Sequence, residues 1–143
     1  MEKYTDMRDR HQQDWNSFPM FYAFSNAQFD EGMKKIGLDP SDTDKIYRFG
    51  SLGGFYRKEE GPRLKEMINK HHEELETAFE DDNFLFDAIN YELGNHEFII
   101  TYDPRDALES LGLTERAEKD DRVRLILRKA MNAQQKWAEE NGW

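Results

Sequence analysis

Histidine and carboxylate side chains are the residues of this sequence whose types and spacing could bind a metal. His71 and His72 are adjacent, and Glu92 precedes His96 by four positions. A histidine and a glutamate three or four positions apart on a helix can reach one ion, and a second helix can complete the shell. However, HExxH is absent, and Gly94 is expected to break the helix between Glu92 and His96. We therefore expect no metal and no cofactor. A small metal-binding protein or enzyme that uses these residues is the alternative hypothesis.

Other catalytic patterns in the sequence are incomplete. Gly50, Gly53 and Gly54, followed by Arg57 and Lys58, could present backbone N–H groups to a phosphate, but neither GxxxxGK[ST] nor GxGxxG occurs. None of the serines lies in a GxSxG motif, and the chain contains no cysteine that could act as a nucleophile. These observations predict a protein that is not an enzyme.

The most unusual feature is a stretch from Glu73 to Pro104 that contains ten acidic residues and no lysine or arginine. The whole chain has 30 acids and 20 bases, so this stretch accounts for the entire net charge of -10. Ordinary helices mix lysine among their glutamates, because opposite charges four positions apart stabilise a helix. The stretch is either a set of solvated helix faces or an acidic docking surface. The predicted surface residues are Glu73, Glu76, Glu80, Asp81, Asp82, Asp87, Glu92 and Glu97.

An acidic surface would dock on a basic protein, and many basic proteins bind nucleic acid. DNA carries about one charge per 1.7 Å of axis, so a protein that mimics DNA needs dense carboxylates on a rigid scaffold. Phe84 and Tyr91 are aromatic residues within the stretch that could anchor such a contact. The hypothesis requires that the acids share a surface and are not paired with bases from elsewhere in the fold. A homo-oligomeric accessory protein is a further alternative, and the sequence leaves the oligomeric state open.

Length and composition narrow the class of protein. A chain of 143 residues predicts one globular domain over residues 1–143, and 37% hydrophobic residues suffice for a core. The net charge of -10 argues against direct binding to nucleic acid or to an anionic membrane, since both are polyanions. No apolar run approaches the roughly 20 residues of a membrane helix, and the polar N-terminus does not resemble a signal peptide. We therefore expect a cytoplasmic location.

Hydrophobic periodicity predicts an α+β fold that is mostly helical, with about six helices around a small sheet of three or four short strands. Met20–Phe24 is a predicted strand, "KIYRF" and "FYRK" form a predicted hairpin around "GSLGG", and "EFIITY" is the clearest strand. Capping residues, glycine and proline mark the helix ends. These markers are Ser25 or Asn26, Gly37, Pro62, Asp81 or Asp82, Gly94, Asp103 with Pro104, and Gly112.

Two further expectations concern the helices. The segments "FYAFSNAQFDEGMKKIGLD" and "FIITYDPRDALESLGLT" both contain an aromatic strand pattern, a cap, a short helix and a Gly-Leu ending. We expect both helices to end in the same way, at Gly37 and Gly112. In the last helix, Trp137 is expected to face the core with Val123 and Ala130.

Three stretches of the sequence resemble a known group of proteins: "FPMFYAFSNAQFDEGMKKIGL", "GGFYRKEE" and "FDAINYELGNHEFIITYDPRDALESLGL". They are similar to an uncharacterised family of small acidic proteins found in phages and mobile elements of Gram-positive gut bacteria. The resemblance brings no activity and no catalytic residues. It implies that the gene lies in a phage or mobile element. Such elements encode small acidic inhibitors of host defence, including DNA mimics.

Overall fold

The computed structural model describes residues 2–51 and 53–143; Met1 and Leu52, the latter in the predicted glycine-rich loop, lie outside the described residues. The described residues contain eight α-helices and one sheet of three antiparallel strands, which confirms a mostly helical α+β fold. None of the helices in these ranges has the length and apolarity needed to cross a membrane. The chain divides into two compact units. One globular domain over residues 1–143 therefore stays a prediction. Unit 1 comprises the chain up to Arg10 and Glu74–Trp143, and unit 2 comprises His11–Glu73.

The elements follow one another in chain order with short connections. Two short 3-10 helices, Thr43–Lys45 and Lys58–Glu60, flank the hairpin. The α-helices are α1 Tyr4–Ser17, α2 Asn26–Lys35, α3 Gly61–Ala78, α4 Asp82–Asn95, α5 Phe98–Thr101, α6 Arg105–Ser110, α7 Thr114–Lys119 and α8 Asp121–Glu140. The strands are β1 Met20–Tyr22, β2 Ile46–Phe49 and β3 Gly54–Arg57.

Unit 2 is built on the sheet, whose strand order is β1-β3-β2. The predicted hairpin is confirmed, because β2 and β3 pair antiparallel. Phe21 of β1 lies opposite Phe55 of β3, and their rings stack with centroids 5.4 Å apart. Phe29 and Met33 of α2 pack against this pair. Side chains of a strand alternate between the two faces of a sheet. One face of this sheet therefore packs against α2, and Met20 and Tyr22 belong to the opposite face.

Unit 1 is a helical cluster around α4, which packs along α8. Leu85, Ile89 and Leu93 of α4 are fully buried. Asp81 caps α4 as predicted, since its carboxylate accepts the Phe84 N–H at 2.9 Å. This buried cluster fixes the positions of the acidic residues that α4 carries.

The prediction of a strand at "EFIITY" is wrong, because Phe98–Thr101 form the short helix α5. Phe98 is 3% exposed and belongs to the core cluster of unit 1. Glu97 and Tyr102 flank α5 with positive φ, 58° and 55°, a left-handed conformation that is incompatible with an extended strand. The helices that surround α5 offer no strand edge, so tertiary packing overrides the β-propensity of the β-branched residues.

Two expectations about helix faces and ends are also wrong. Gly94 does not end α4, which continues to Asn95. Trp137 is 51% exposed instead of facing the core. Within α8, all of which the structure describes, Ala138 is the one buried residue beyond Ala130. The last turns of α8 therefore run past the core, and periodicity alone could not show where the core stops.

The shared helix ending of the two similar segments is confirmed. Gly37 and Gly112 have φ of 80° and 67°, a left-handed conformation that glycine adopts without penalty. The leucine after each glycine donates a hydrogen bond to the carbonyl five residues earlier, at 2.8 and 2.9 Å. These bonds define the Schellman ending in both helices. Only the first segment begins with a strand, so the similarity is limited to the helix and its end.

Candidate functional site

The eight residues predicted to form the acidic surface differ in exposure. Glu76 and Asp81 are partly buried, and Glu92 is buried. Glu73 belongs to unit 2, whereas the other seven belong to unit 1. The exposed ones are Glu73, Glu80, Asp82, Asp87 and Glu97. Burial alone therefore leaves five of the eight predicted residues exposed to solvent.

Arginines from outside the base-free stretch hold two of these carboxylates. Arg116 donates to both carboxylate oxygens of Glu76, at 2.8 and 2.7 Å. Arg122 donates to Oδ1 of Asp82 and to the carbonyl oxygen of Phe79, both at 2.5 Å. A charge-assisted pair weakens the field that a carboxylate presents to a partner. The requirement that the acids remain unpaired is therefore not met at Glu76 and Asp82.

Glu92 cannot contribute to a surface, because it is 3% exposed, and its assignment to the docking surface is wrong. The hydroxyl of Tyr4 donates to Oε2 of Glu92 at 2.8 Å, and Nδ2 of Asn95 donates to Oε1 at 3.1 Å. Nε2 of His96 lies 3.9 Å from Oε1. Burial, and then the hydrogen bond to Glu92, raise the pKa of the Tyr4 phenol well above its usual range. The sequence could have indicated this burial, because Glu92 follows the apolar residues Ala88 and Ile89 by about one helical turn.

Asp103 and Arg105 form a further pair at the start of α6. Nη2 of Arg105 donates to Oδ2 of Asp103 at 2.6 Å, and the backbone N–H of Arg105 donates to Oδ1 at 3.0 Å. The side-chain bond and then the backbone bond stabilise the ionised carboxyl and lower the pKa of Asp103 to about 2. The charge of Asp103 is therefore partly neutralised by Arg105 within the fold.

We expect the Arg105→Gln substitution to raise the pKa of Asp103 from about 2 toward the value of an unpaired carboxyl. The physical reason is the loss of the charge-assisted bond, while the backbone bond remains. Carboxyl carbon NMR shifts followed during an acid titration would measure both pKa values. An Asp103 that titrates identically in the two proteins would show that the pair is absent in solution.

The acid excess that remains after internal pairing is concentrated in unit 1. Unit 1 carries eleven bases and 20 acids, a net charge of -9, whereas unit 2 carries nine bases and ten acids. Among the residues that the structure describes, six of the eleven bases form ion pairs with carboxylates. Within the described residues, ten exposed acids of unit 1 form no ion pair: Asp6, Asp9, Glu80, Asp87, Glu97, Asp106, Glu109, Glu118, Glu139 and Glu140.

The two aromatic residues proposed as anchors differ in exposure. Phe84 is 3% exposed and contributes to the core, so its assignment as an anchor is wrong. Tyr91 is 37% exposed, and the guanidinium of Arg8 lies 5.3 Å from the centroid of its ring. Asp87 precedes Tyr91 by one helical turn and is exposed, so both occupy the same side of α4. Tyr91 is therefore the aromatic residue that stands beside an unpaired acid.

The histidines and glutamates proposed to bind a metal belong to different units. His71 and His72 lie in unit 2, and Glu92 and His96 lie in unit 1. Across residues 2–51 and 53–143, no group of three or more metal-ligating side chains could hold an ion. The metal-binding alternative therefore gains no support from the described side chains.

His71 has a different environment from the one that metal binding would require. Its ring stacks on the ring of His11 with centroids 3.9 Å apart and an interplanar angle of 14°. Nε2 of His71 lies 2.8 Å from Oδ2 of Asp14. This hydrogen bond lowers the pKa of Asp14. The cluster ties α1 to α3 within unit 2.

The glycine-rich loop is explained by the geometry of the hairpin. Gly50 and Gly53 have φ of 60° and 75°, so both positions favour glycine. A Cβ atom on Gly53 would lie 2.9 Å from the carbonyl oxygen of Ala23. Nη1 of Arg57 donates to the carbonyl oxygen of Ile36 at 3.1 Å and so supports the fold of unit 2. These contacts account for Gly50, Gly53 and Arg57 of the phosphate-binding hypothesis without a ligand.

The fold and its charges define a mostly helical α+β protein in which one unit carries most of the net charge. The chain belongs to DUF7659, a family of unknown function, whose model matches residues 3–133. Neither the curated proteins nor the solved structures contain a match to the chain.

Proposed function

We propose that the chain is a cytoplasmic, non-enzymatic binding protein whose unit 1 docks through its acidic surface on a basic, nucleic-acid-binding protein. The observation that carries the proposal is the residual charge of unit 1, which has 20 acids against eleven bases. Surface charge of one sign attracts a partner of the opposite sign over a distance of about a Debye length. In unit 1, Glu80, Asp87 and Glu97 are the predicted contacts that remain exposed and without an ion pair within the described residues.

The proposed mechanism is electrostatic steering followed by contact at Tyr91. Complementary charge accelerates encounter, and a buried aromatic anchor slows dissociation. The resemblance to proteins of phages and mobile elements extends the proposal to inhibition of a host protein. An inhibitor of this kind would occupy the nucleic-acid site of its partner, as a DNA mimic does. The chain itself would bind neither nucleic acid nor a membrane, because both repel its net charge.

The test compares two variants of equal net charge. The first neutralises three unpaired acids of unit 1 by Glu80→Gln, Asp87→Asn and Glu97→Gln. The second neutralises three exposed acids of unit 2 by Asp30→Asn, Asp44→Asn and Glu66→Gln. Wild type and both variants would serve as bait in lysate of cells that naturally carry the gene, and captured proteins would be identified by mass spectrometry.

We expect basic proteins to be retained by wild type and by the unit 2 variant, but lost by the unit 1 variant. Added duplex DNA and raised salt should both displace them, because each competes for the same basic surface. Equal capture by the two variants would show that net charge alone, and not unit 1, is responsible. The absence of any specific partner for three folded baits would make the acids a solubility feature.

A further inference from the structure

Ile100 and Tyr102, at the end of α5, expose large apolar side chains to solvent. Each is 60% exposed, whereas Phe98 of the same helix is 3% exposed and packs in the core of unit 1. The ring of Tyr102 touches the ring of Phe98 edge-on, with centroids 5.8 Å apart and an interplanar angle of 68°. Hydrophobic stabilisation is roughly proportional to the apolar area removed from water, so exposed area contributes little to folding. The packing of unit 1 therefore does not account for the apolar side chains at these two positions.

The backbone on both sides of α5 adopts a conformation that favours glycine. Glu97 precedes the helix with φ 58° and ψ 37°, and Tyr102 follows it with φ 55° and ψ 23°. In this left-handed region the Cβ atom lies too close to a carbonyl oxygen, so a residue with a side chain is destabilised relative to glycine. Across the residues that the structure describes, these two are the non-glycine residues with positive φ. Tyr102 therefore combines a costly backbone conformation with an exposed aromatic ring.

The sequence of α5 also opposes its helical conformation. Phe98–Thr101 consists of aromatic and β-branched residues, which favour strands over helices. Segments that contradict their local preference, and non-glycine residues held in the left-handed region, are concentrated at functional sites. Backbone strain, contrary propensity and exposed apolar surface coincide in this one segment, and together they indicate an interaction site.

The charge around α5 defines the partner that this site can accept. The segment from Glu97 to Glu109 contains four acids, Glu97, Asp103, Asp106 and Glu109, and one base, Arg105. Nη2 of Arg105 donates to Oδ2 of Asp103, so this base is engaged within the fold. A second copy of the chain, or an anionic membrane, would meet charge of the same sign, because unit 1 has 20 acids and eleven bases. A basic protein surface is complementary to the site.

We propose that Ile100 and Tyr102 are apolar anchors with which unit 1 binds its basic partner, and that the partner offers apolar surface among its bases. This inference rests on the proposed function and adds the apolar part of the contact, alongside Tyr91. Interfaces combine an apolar centre, which carries most of the binding energy, with a polar rim. The acids would accelerate encounter, and burial of Ile100 and Tyr102 would slow dissociation.

The experiment uses two synthetic peptides of equal charge as probes of the full chain. Both contain six lysines, and the remaining three residues are leucines in one peptide and serines in the other. The anchor variant carries Ile100→Gln and Tyr102→Asn, which leave the net charge unchanged, and asparagine tolerates the left-handed conformation. The control variant carries Tyr22→Gln and Phe24→Gln in unit 2, since these residues are also two positions apart and are 51% and 80% exposed.

We expect wild type and the control variant to bind the leucine peptide about tenfold more tightly than the serine peptide, because leucine adds apolar contact. The anchor variant should bind both peptides equally, and the serine peptide should bind all three proteins alike. Fluorescence anisotropy of labelled peptides would give the affinities, and circular dichroism would show that each variant is folded. In wild type, the leucine peptide should shift the amide NMR signals of Ile100 and Tyr102 more than the serine peptide does.

An equal advantage of the leucine peptide in all three proteins would overturn the inference, as would no advantage in wild type or amide shifts confined to other residues. A dimer in sedimentation that the anchor variant abolishes would also overturn it, because a second copy would then cover the site. The unit 1 variant with Glu80→Gln, Asp87→Asn and Glu97→Gln separates this inference from the proposed function. It should bind both peptides more weakly than wild type. Unchanged affinity for the serine peptide would contradict the acidic contact itself, whereas loss of serine-peptide affinity without any leucine advantage would contradict only the anchors.

Discussion

Substituting Gly32→Ala is expected to lower the free energy of unfolding by about 3 kcal/mol, although alanine normally stabilises a helix interior by about 1 kcal/mol over glycine. Gly32 lies within α2, where the helix approaches β1. A Cβ atom at this position would lie 2.0 Å from Cδ2 of Phe21. Phe21 is 5% exposed and stacks on Phe55, so its ring cannot move aside without disrupting the core of unit 2. Steric overlap should therefore outweigh helix propensity.

Gly94→Ala is the matched control for this prediction. Gly94 also lies inside a helix, but its added Cβ would have Nε2 of Gln134 as its nearest neighbour, at 3.8 Å. The same change should here leave stability unaltered or raise it by about 0.5 kcal/mol. Urea unfolding followed by circular dichroism would measure both variants.

A third variant distinguishes steric overlap from other causes. Phe21→Leu shortens the side chain that Gly32→Ala would strike, so the double variant should lose less stability than the sum of the two single changes. Strict additivity of the two losses, or a stable Gly32→Ala protein, would contradict the close approach of α2 and β1.

Tyr4→Phe is expected to lower the free energy of unfolding by about 2 kcal/mol at neutral pH. The change removes the hydroxyl that donates to the buried carboxylate of Glu92 at 2.8 Å. Glu92 is 3% exposed, so water cannot easily replace the lost donor. Asn95 would remain as a donor to the other carboxylate oxygen, at 3.1 Å. The loss should therefore exceed that of an exposed hydrogen bond.

The same tyrosine predicts a dependence of stability on alkaline pH. Its pKa is raised in the folded state from the ordinary value of 10.0, by burial first and by Glu92 second. Below that value the phenol is protonated in both the folded and the unfolded chain, so its contribution is fully present. Above it the unfolded chain releases a proton that the folded chain retains, and stability falls by about 1.4 kcal/mol per pH unit.

Urea unfolding of wild type and Tyr4→Phe at several pH values around and above 10 would test this slope. Tyr4→Phe should lack the part of the slope that Tyr4 contributes, because other groups that titrate there are common to both proteins. Glu92→Gln is the control, since its amide oxygen can still accept the Tyr4 hydroxyl while the charge is removed. Parallel curves for wild type and Tyr4→Phe would contradict the buried pair.

Much of the local structure could be predicted from the sequence. Asp81 caps α4, and Gly37 and Gly112 end their helices with positive φ. The hairpin of β2 and β3 follows from two aromatic runs around a glycine-rich turn. These features depend on residues close together in the chain, where one side chain or one backbone conformation decides the outcome.

The candidate site depended more strongly on the tertiary structure. The acid excess was evident in the sequence, but the pairing of Glu76 with Arg116 joins residues 40 positions apart. Pairs of that kind follow from how helices pack and leave no local pattern. The burial of Glu92 beside Tyr4 bridges 88 positions and has the same origin.

The sequence by itself determined the composition, the sign and amount of charge, the helical periodicity and the residues at which most helices begin and end. Only the tertiary structure decided that "EFIITY" is helical, because Phe98 packs into a core of helices that offers no strand edge. It also decided which acids face solvent. The physical reason is that burial and long-range pairing depend on which elements meet in space, whereas caps, turns and periodicity depend on neighbours in the chain.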